Sequence, residues 1–126
     1  TLFRSATIED LRELTPQTAW DRVYKPNFWN EIDADKLPAG LNYAAFDFAV
    51  NSGPAVVDGD DSNNPKITQD FVLQALKEKT VAKQIDKLCD LRLEYMKTNP
   101  VKWERYKRGW SARVGRVRFR SQKMAA

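Results

Sequence analysis

Leu37-Pro-Ala-Gly-Leu-Asn-Tyr-Ala-Ala-Phe-Asp-Phe-Ala-Val-Asn-Ser-Gly53 is the most informative stretch of this 126-residue sequence. Leu41, Ala44, Ala45, Phe48 and Ala49 recur at helical spacing, with Gly40 before them and Gly53-Pro54 after them as start and stop signals. The pattern predicts the most buried helix of the chain. Asp47 and Asn51 are four residues apart and share one face of that helix, while Phe48 and Ala49 turn toward a core. Polar groups near the end of a buried helix need partners, and two readings stand. Asp47 bonds a neighbouring helix while Asn51 caps the C-terminus, or both face a ligand.

Working toward the N-terminus, Thr15-Pro16 is a helix start: Thr15 accepts from an unpaired helical N–H and Pro16 has none to leave unpaired. A helix is expected from Pro16 to about Tyr24, stopped or kinked by Pro26, with Phe28-Trp29 packing just after it. Asn30 to Pro38 reads as a polar connector. Thr7 opens a short helix with Asp10 at its capping-box position. The opening Thr1-Leu-Phe-Arg-Ser-Ala carries neither an initiator Met nor a cap, and reads as the continuation of a longer chain.

Toward the C-terminus, Val57-Asp-Gly-Asp-Asp-Ser-Asn-Asn-Pro65 is an acidic, turn-rich linker that divides residues 1–57 from 58–126. Thr68 is expected to cap a helix carrying Phe71, Val72, Ala75 and Leu76. A longer helix follows from Val81 to Thr98, ended by Asn99-Pro100. Two further helices, Val101 to Arg108 and Trp110 to Phe119, are separated by Gly109. With no repeat and no strand pattern, the fold class is all-α.

Composition narrows the chemistry. Hydrophobic residues make up 42% of the chain and charged residues 30%, so it is globular, either one domain or two small lobes on a shared core. The six Phe, four Trp and four Tyr fill that core without a disulfide or a structural metal. Cys89 is the one cysteine, so no intramolecular disulfide forms, and its apolar stripe of Ile85, Leu88 and Leu91 makes it a buried, inert thiol. With no histidine, triads and His-metal sites fall away together, leaving carboxylates as acid/base groups.

No signal peptide pattern is present, and the apolar run Ala44 to Val50, broken by Asp47, is far shorter than the roughly 20 residues of a membrane span. A soluble chain is expected. Its net charge of +4 is concentrated late, where Lys102, Arg105, Lys107, Arg108, Arg113, Arg116, Arg118, Arg120 and Lys123 face only Glu104. Trp103, Tyr106 and Trp110, with Phe119, are interleaved among these cations as in a nucleic-acid groove. The spacing of three and four also fits an amphipathic core face with solvated cations opposite, and that reading is preferred. No nucleic acid is expected. Asp58-Gly-Asp-Asp-Ser-Asn-Asn resembles a calcium loop superficially, but Gln69 stands where an EF-hand needs Glu, so neither metal nor cofactor is expected. Asp33/Asp35 and Glu9/Asp10 are possible carboxylate pairs in exposed, cap-like contexts, where solvated charge is the better reading.

Several of these stretches together resemble glycoside hydrolase family 108, lysozyme-like muramidases of phages and bacterial secretion activators. Thr15-Pro16 through Tyr24 with Phe28-Trp29 is similar to the family's helix ending in an aromatic pair. Leu37-Pro-Ala-Gly-Leu followed by Phe46-Asp-Phe-Ala-Val-Asn-Ser-Gly-Pro54 resembles its most recognisable internal motif. Ile85 through Arg92 and Gly109-Trp-Ser-Ala-Arg-Val114 resemble its C-terminal module, described as peptidoglycan-binding.

The resemblance implies a lysozyme-like helical fold with a C-terminal helical lobe. It also implies hydrolysis of the linkage between N-acetylmuramic acid and N-acetylglucosamine, with peptidoglycan glycan strands as partner. The expected protein is a monomer of the endolysin type, made in the bacterial cytoplasm and acting in the periplasm and cell wall. The family's acid is a Glu in a Glu-Gly-Gly motif, which these 126 residues do not contain. After Pro54 the chain also passes directly to Val56-Val-Asp-Gly59, where the family has a further short helix.

By resemblance, Tyr43, Asp47 and Asn51 are candidate cleft residues: Asn51 for a sugar acetamido or hydroxyl group, Tyr43 as an aromatic face with a polar tip. Arg113 is a candidate for anionic peptide stems, with a structural ion pair as its alternative. No residue of the chain is assigned as the catalytic acid. A non-catalytic wall-binding module using the basic C-terminal helices is the alternative function.

Overall fold

The computed structural model describes residues 15–52 and 67–126. The expected helix at Thr7, the Glu9/Asp10 pair, the Gly53-Pro54 stop and the acidic linker lie outside them. Among the described residues every regular element is helical. The fold is all-α and lysozyme-like, as expected.

Helix α1 begins at Pro16, capped by Thr15. Its hydroxyl accepts from Thr18 N (3.1 Å) while Thr18 Oγ1 accepts from Thr15 N (2.6 Å), a reciprocal capping box. After Ala19 the helix does not stop near Tyr24; it widens into a ten-residue π-helix, Trp20–Trp29, that carries Pro26 inside it. Asn30 N donates to Lys25 O (2.8 Å), the i→i−5 closure of this form. The wider turn moves carbonyls away from the proline ring, so Pro26 converts the helix instead of ending it. A π-turn also stacks residues four and five apart, which aligns Trp20, Tyr24, Phe28 and Trp29. Trp20 and Trp29 each meet Phe46 edge-on at 5.6 Å, and Tyr24 meets it at 6.2 Å.

The connector after α1 is less polar than its composition suggests. Asp33 adopts a left-handed conformation (φ 51°), and the 3-10 turn Ala34–Lys36 that follows leaves Ile32 and Ala34 buried. Asp33 and Asp35 are exposed, and Asp35 accepts from Trp29 Nε1 (2.9 Å).

Helix α2, Leu41–Ser52, buries Leu41, Ala44, Ala45, Phe48 and Ala49, the stripe its spacing predicts. Gly40, just before it, has φ +91°, and a Cβ there would collide with the backbone oxygen of Ser121. The glycine therefore starts the helix and also lets the chain pass directly against the last helix. Helix α3, Ile67–Ala75, buries Val72 and Ala75 and stacks Phe71 on Phe48 at 5.5 Å. The helix already includes Ile67, so it starts before Thr68, the residue expected to precede it. Leu76 falls beyond its end and is 37% exposed, so it is not part of the buried stripe.

Thr80 caps helix α4, Val81–Lys97, by accepting from Lys83 N (3.2 Å). Asn99 caps helix α5, Pro100–Ala125, with Pro100 in its first turn. The two helices fold back on each other. Arg118 bridges to Asp86 and Asp90 (2.9 and 2.7 Å), and Gln122 Nε2 donates to Ala82 O (2.8 Å). The break expected at Gly109 is not there, and α5 is continuous. An interior glycine costs only about 1 kcal/mol relative to alanine, too little to stop a long helix otherwise built from good helix formers.

The core is one cluster, running from Ile32 and Phe48 through Ile85 and Leu88 to Val114 and Val117. It draws residues from both sides of the acidic linker. In α5, burial begins only at Val114. Trp103 and Trp110 are half-exposed and Tyr106 is 45% exposed, so the expected core face is not a core face. These three rings pack on one another and not on the core cluster. Among the described residues no helix is long and apolar enough to cross a membrane.

Candidate substrate groove

The repeat of four along α2 puts Tyr43, Asp47 and Asn51 in one row on the helix. This row faces α4 and α5. Asp47 Oδ2 lies 2.8 Å from Arg92 Nη1 of α4, and its Oδ1 lies 2.8 Å from Arg113 Nη2 of α5. Arg113 Nε adds a second contact to Oδ2 (3.2 Å), making a bidentate fork. One carboxylate thus joins three helices. Asn51 Nδ2 donates to the Asp47 backbone carbonyl (2.8 Å) and more weakly to its Oδ2 (3.3 Å), fixing the last turn of α2.

Burial pushes the Asp47 carboxyl toward its neutral form, but hydrogen bonds from Arg113 and Arg92 and their two charges outweigh it. The net result lies below the ordinary carboxylate range. Its bond to Asp47 raises Arg113 in turn, against a smaller opposing effect of desolvation. A proton donor in glycoside hydrolysis needs the opposite environment, one that keeps the acid protonated. Asp47 is consequently an anchor, and its geometry does not suit it to be a general acid.

Beside this cluster lies a groove of about 360 Å³. Asn51 and Ser52 form one wall from the end of α2, and Arg92, Tyr95 and Met96 form the floor from α4. Thr98 and Asn99 close one end where the chain turns, and Lys102, Trp110 and Arg113 of α5 complete the far wall. At this end of the groove Asn99 caps α5 and Pro100 occupies its first turn. Among the described residues the lining holds three cations and no carboxylate.

Trp110 stacks on Tyr106 at 5.4 Å and sits 6.4 Å from Trp103, so an aromatic ladder leads from the groove along the exposed part of α5. Lys97 lies over Trp103 at 5.4 Å.

Of the four residues singled out from the sequence, Asn51 and Arg113 line the groove, and Asp47 lies behind it holding Arg92 and Arg113. Tyr43 is half-buried against the core and does not line the groove. Arg92 was missed. Its spacing from Ile85, Leu88 and Cys89 already places it on the buried stripe of α4, and a buried Asp47 requires a cation from some other helix.

Comparison with known proteins agrees with this architecture. A family model described as Glycosyl hydrolase 108 matches residues 2–53, which include the whole α2 row. The solved structure of Brucella abortus SagA matches with a TM-score of 0.69 and 32% identity over 95% of this chain and 71% of that one. Curated proteins give no match. With the model match over α1 and α2 and a structural relative at this identity and coverage, the chain belongs to the glycosyl hydrolase 108 family.

Proposed function

We propose that the chain serves an endolysin-type N-acetylmuramidase, binding a peptidoglycan glycan strand in the groove between α2, α4 and α5. The observation that carries this reading is the groove itself: an amide (Asn51), an indole ring (Trp110) and two arginines (Arg92, Arg113) line one open space beside α2, which lies within the family match. Apolar ring faces and planar donors are the chemistry that holds acetamido sugars.

The acid that protonates the glycosidic oxygen is assigned to a Glu-Gly-Gly segment, which these residues do not contain. Action in the periplasm and cell wall, as a monomer of phage or bacterial origin, follows from the same reading. A turbidity assay on purified cell walls tests it. The 126 residues alone should not lyse walls, and a chain extended N-terminally by such a segment should. Lysis by the short chain would refute the assignment of roles.

A non-catalytic wall-binding role is favoured by one separate observation, the exposed aromatic ladder with its cations on α5. Arg113 and Arg118 are engaged in ion pairs, so Arg105, Arg108 and Arg116 are the cations to neutralise. Wall binding that survives Asn51→Ala but is lost when those three are changed supports this second role.

A further inference from the structure

Arg92 is the largest fully buried side chain of the described residues, 2% exposed, and only part of its hydrogen-bonding capacity is used. Nη1 donates to Asp47, while Nε and Nη2 have no partner. These two groups share one edge of the guanidinium, the edge that grips a carboxylate with two parallel bonds. A buried, unpartnered donor costs about 1–3 kcal/mol, and more when charged, and apart from the Phe48 ring 5.5 Å from the guanidinium carbon this edge finds no hydrogen-bond acceptor among the described residues.

The charges around it give the same answer. Asp47 is one anion between two arginines, and Lys102 adds a further cation to a groove whose lining, among the described residues, holds no carboxylate. Among the described residues positive charge is therefore in excess in a partly enclosed space, where attraction is weakly screened.

We propose that the floor of the groove is a carboxylate subsite, in which the Nε–Nη2 edge of Arg92, with Lys102 at the rim, takes a free carboxylate of the peptide carried by the glycan strand. The proposal rests on the glycan reading of the groove and adds the part of the polymer that the floor selects. Both nitrogens are out of solvent contact in the free protein, so entry displaces rim side chains. Met96 and Lys102 of the same lining are long and unbranched, and the proposal assigns that displacement to them. A single buried fork suits one planar carboxylate, whereas a polyanion would need cations in a line.

Three probes separate the possibilities on the full chain: a disaccharide-peptide with free carboxylates, the same molecule with its carboxylates amidated, and the disaccharide without peptide. Titration calorimetry gives affinities, and the arginine Nε–Hε NMR signals report on Arg92 in the unaltered protein. The free acid is expected to bind about tenfold more tightly than the amidated probe. It alone should shift the Arg92 signal, and Lys102→Gln should narrow the preference. Arg92→Lys, which keeps charge but loses the fork, should abolish it.

Equal binding of free and amidated probes with an unmoved Arg92 signal overturns the carboxylate subsite and leaves the glycan groove standing. Failure of all three probes to bind overturns both. An Arg92 shift with inorganic phosphate as large as that with the free acid also overturns the proposal, because the site would then be a general anion site.

Discussion

Asp47 Oδ2 and Arg92 Nη1 lie 2.8 Å apart across 45 residues of sequence, with the arginine 2% and the aspartate 12% exposed. Removing one member of so buried a pair leaves the other without compensation, which typically costs about 3–5 kcal/mol. Asp47→Asn is therefore expected to destabilise the protein by about 3 kcal/mol or more in denaturant melts. The Arg113 contact deserves a smaller share, because its side chain is 46% exposed and screened by solvent. A loss below about 1 kcal/mol would mean that the cluster is held together by the surrounding packing.

The same pair sets a pH dependence. Asp47 is held below its ordinary range when folded, so the cluster's stabilisation is complete above the unfolded value of about 4 and is lost as pH falls through the folded value. The wild-type protein should lose stability in this acid range more steeply than Asp47→Asn, whose curve lacks this group. Parallel curves from pH 7 down to about 2 would rule the linkage out.

How much of this was legible in the sequence depended on whether the answer was local. The α2 stripe, the Thr15 cap and the burial of Cys89 follow from spacing and backbone chemistry within a few residues, whereas the Thr80 cap emerged only in the structure. The π-helix does not, because a proline inside a helix reads as a stop unless tertiary contacts favour the wider turn, here the aromatic ring set around Phe46. Gly109 misled for the opposite reason, since a glycine is a weak breaker inside a long helix. The groove was half legible. Asn51 and Arg113 were reachable from resemblance, but Arg92 required pairing two helices that are distant in sequence.

Gly40 and Gly109 make a contrasting pair. At Gly40 an added Cβ meets both a left-handed backbone and the Ser121 carbonyl, so Gly40→Ala should destabilise by about 2 kcal/mol or more. At Gly109 nothing lies within 4 Å and the residue is helical, so Gly109→Ala should stabilise by about 1 kcal/mol. Thermal melts of the two variants should move in opposite directions. A melting temperature unchanged by Gly40→Ala would show that the start of α2 is not pressed against α5.

Cys89 is 2% exposed on α4, and burial pushes its thiol up to about 11, with nearby Arg118 and Arg92 opposing only weakly. Disulfide exchange needs the thiolate and access together. A colorimetric disulfide reagent at pH 8 should label the native protein only as fast as it opens, and label it at once in denaturant. Rapid labelling of the folded protein would place Cys89 on a mobile part of α4.

Trp110 is the test of the exposed half of α5. Its ring contacts, Tyr106 and Trp103, lie on its own helix, so truncation removes little of the fold's support. Trp110→Ala should leave the melting temperature within a few degrees of wild type, since surface changes of this kind stay near 0.5 kcal/mol. A stacked ring that carries a ligand is worth more, and loss of about 1–1.5 kcal/mol would weaken retention on insoluble peptidoglycan about tenfold. Tyr43→Phe, which removes only a hydroxyl beside the core, serves as the comparison. If Tyr43→Phe reduces retention and Trp110→Ala does not, the glycan runs along α2 and the groove wall on α5 has no part in binding it.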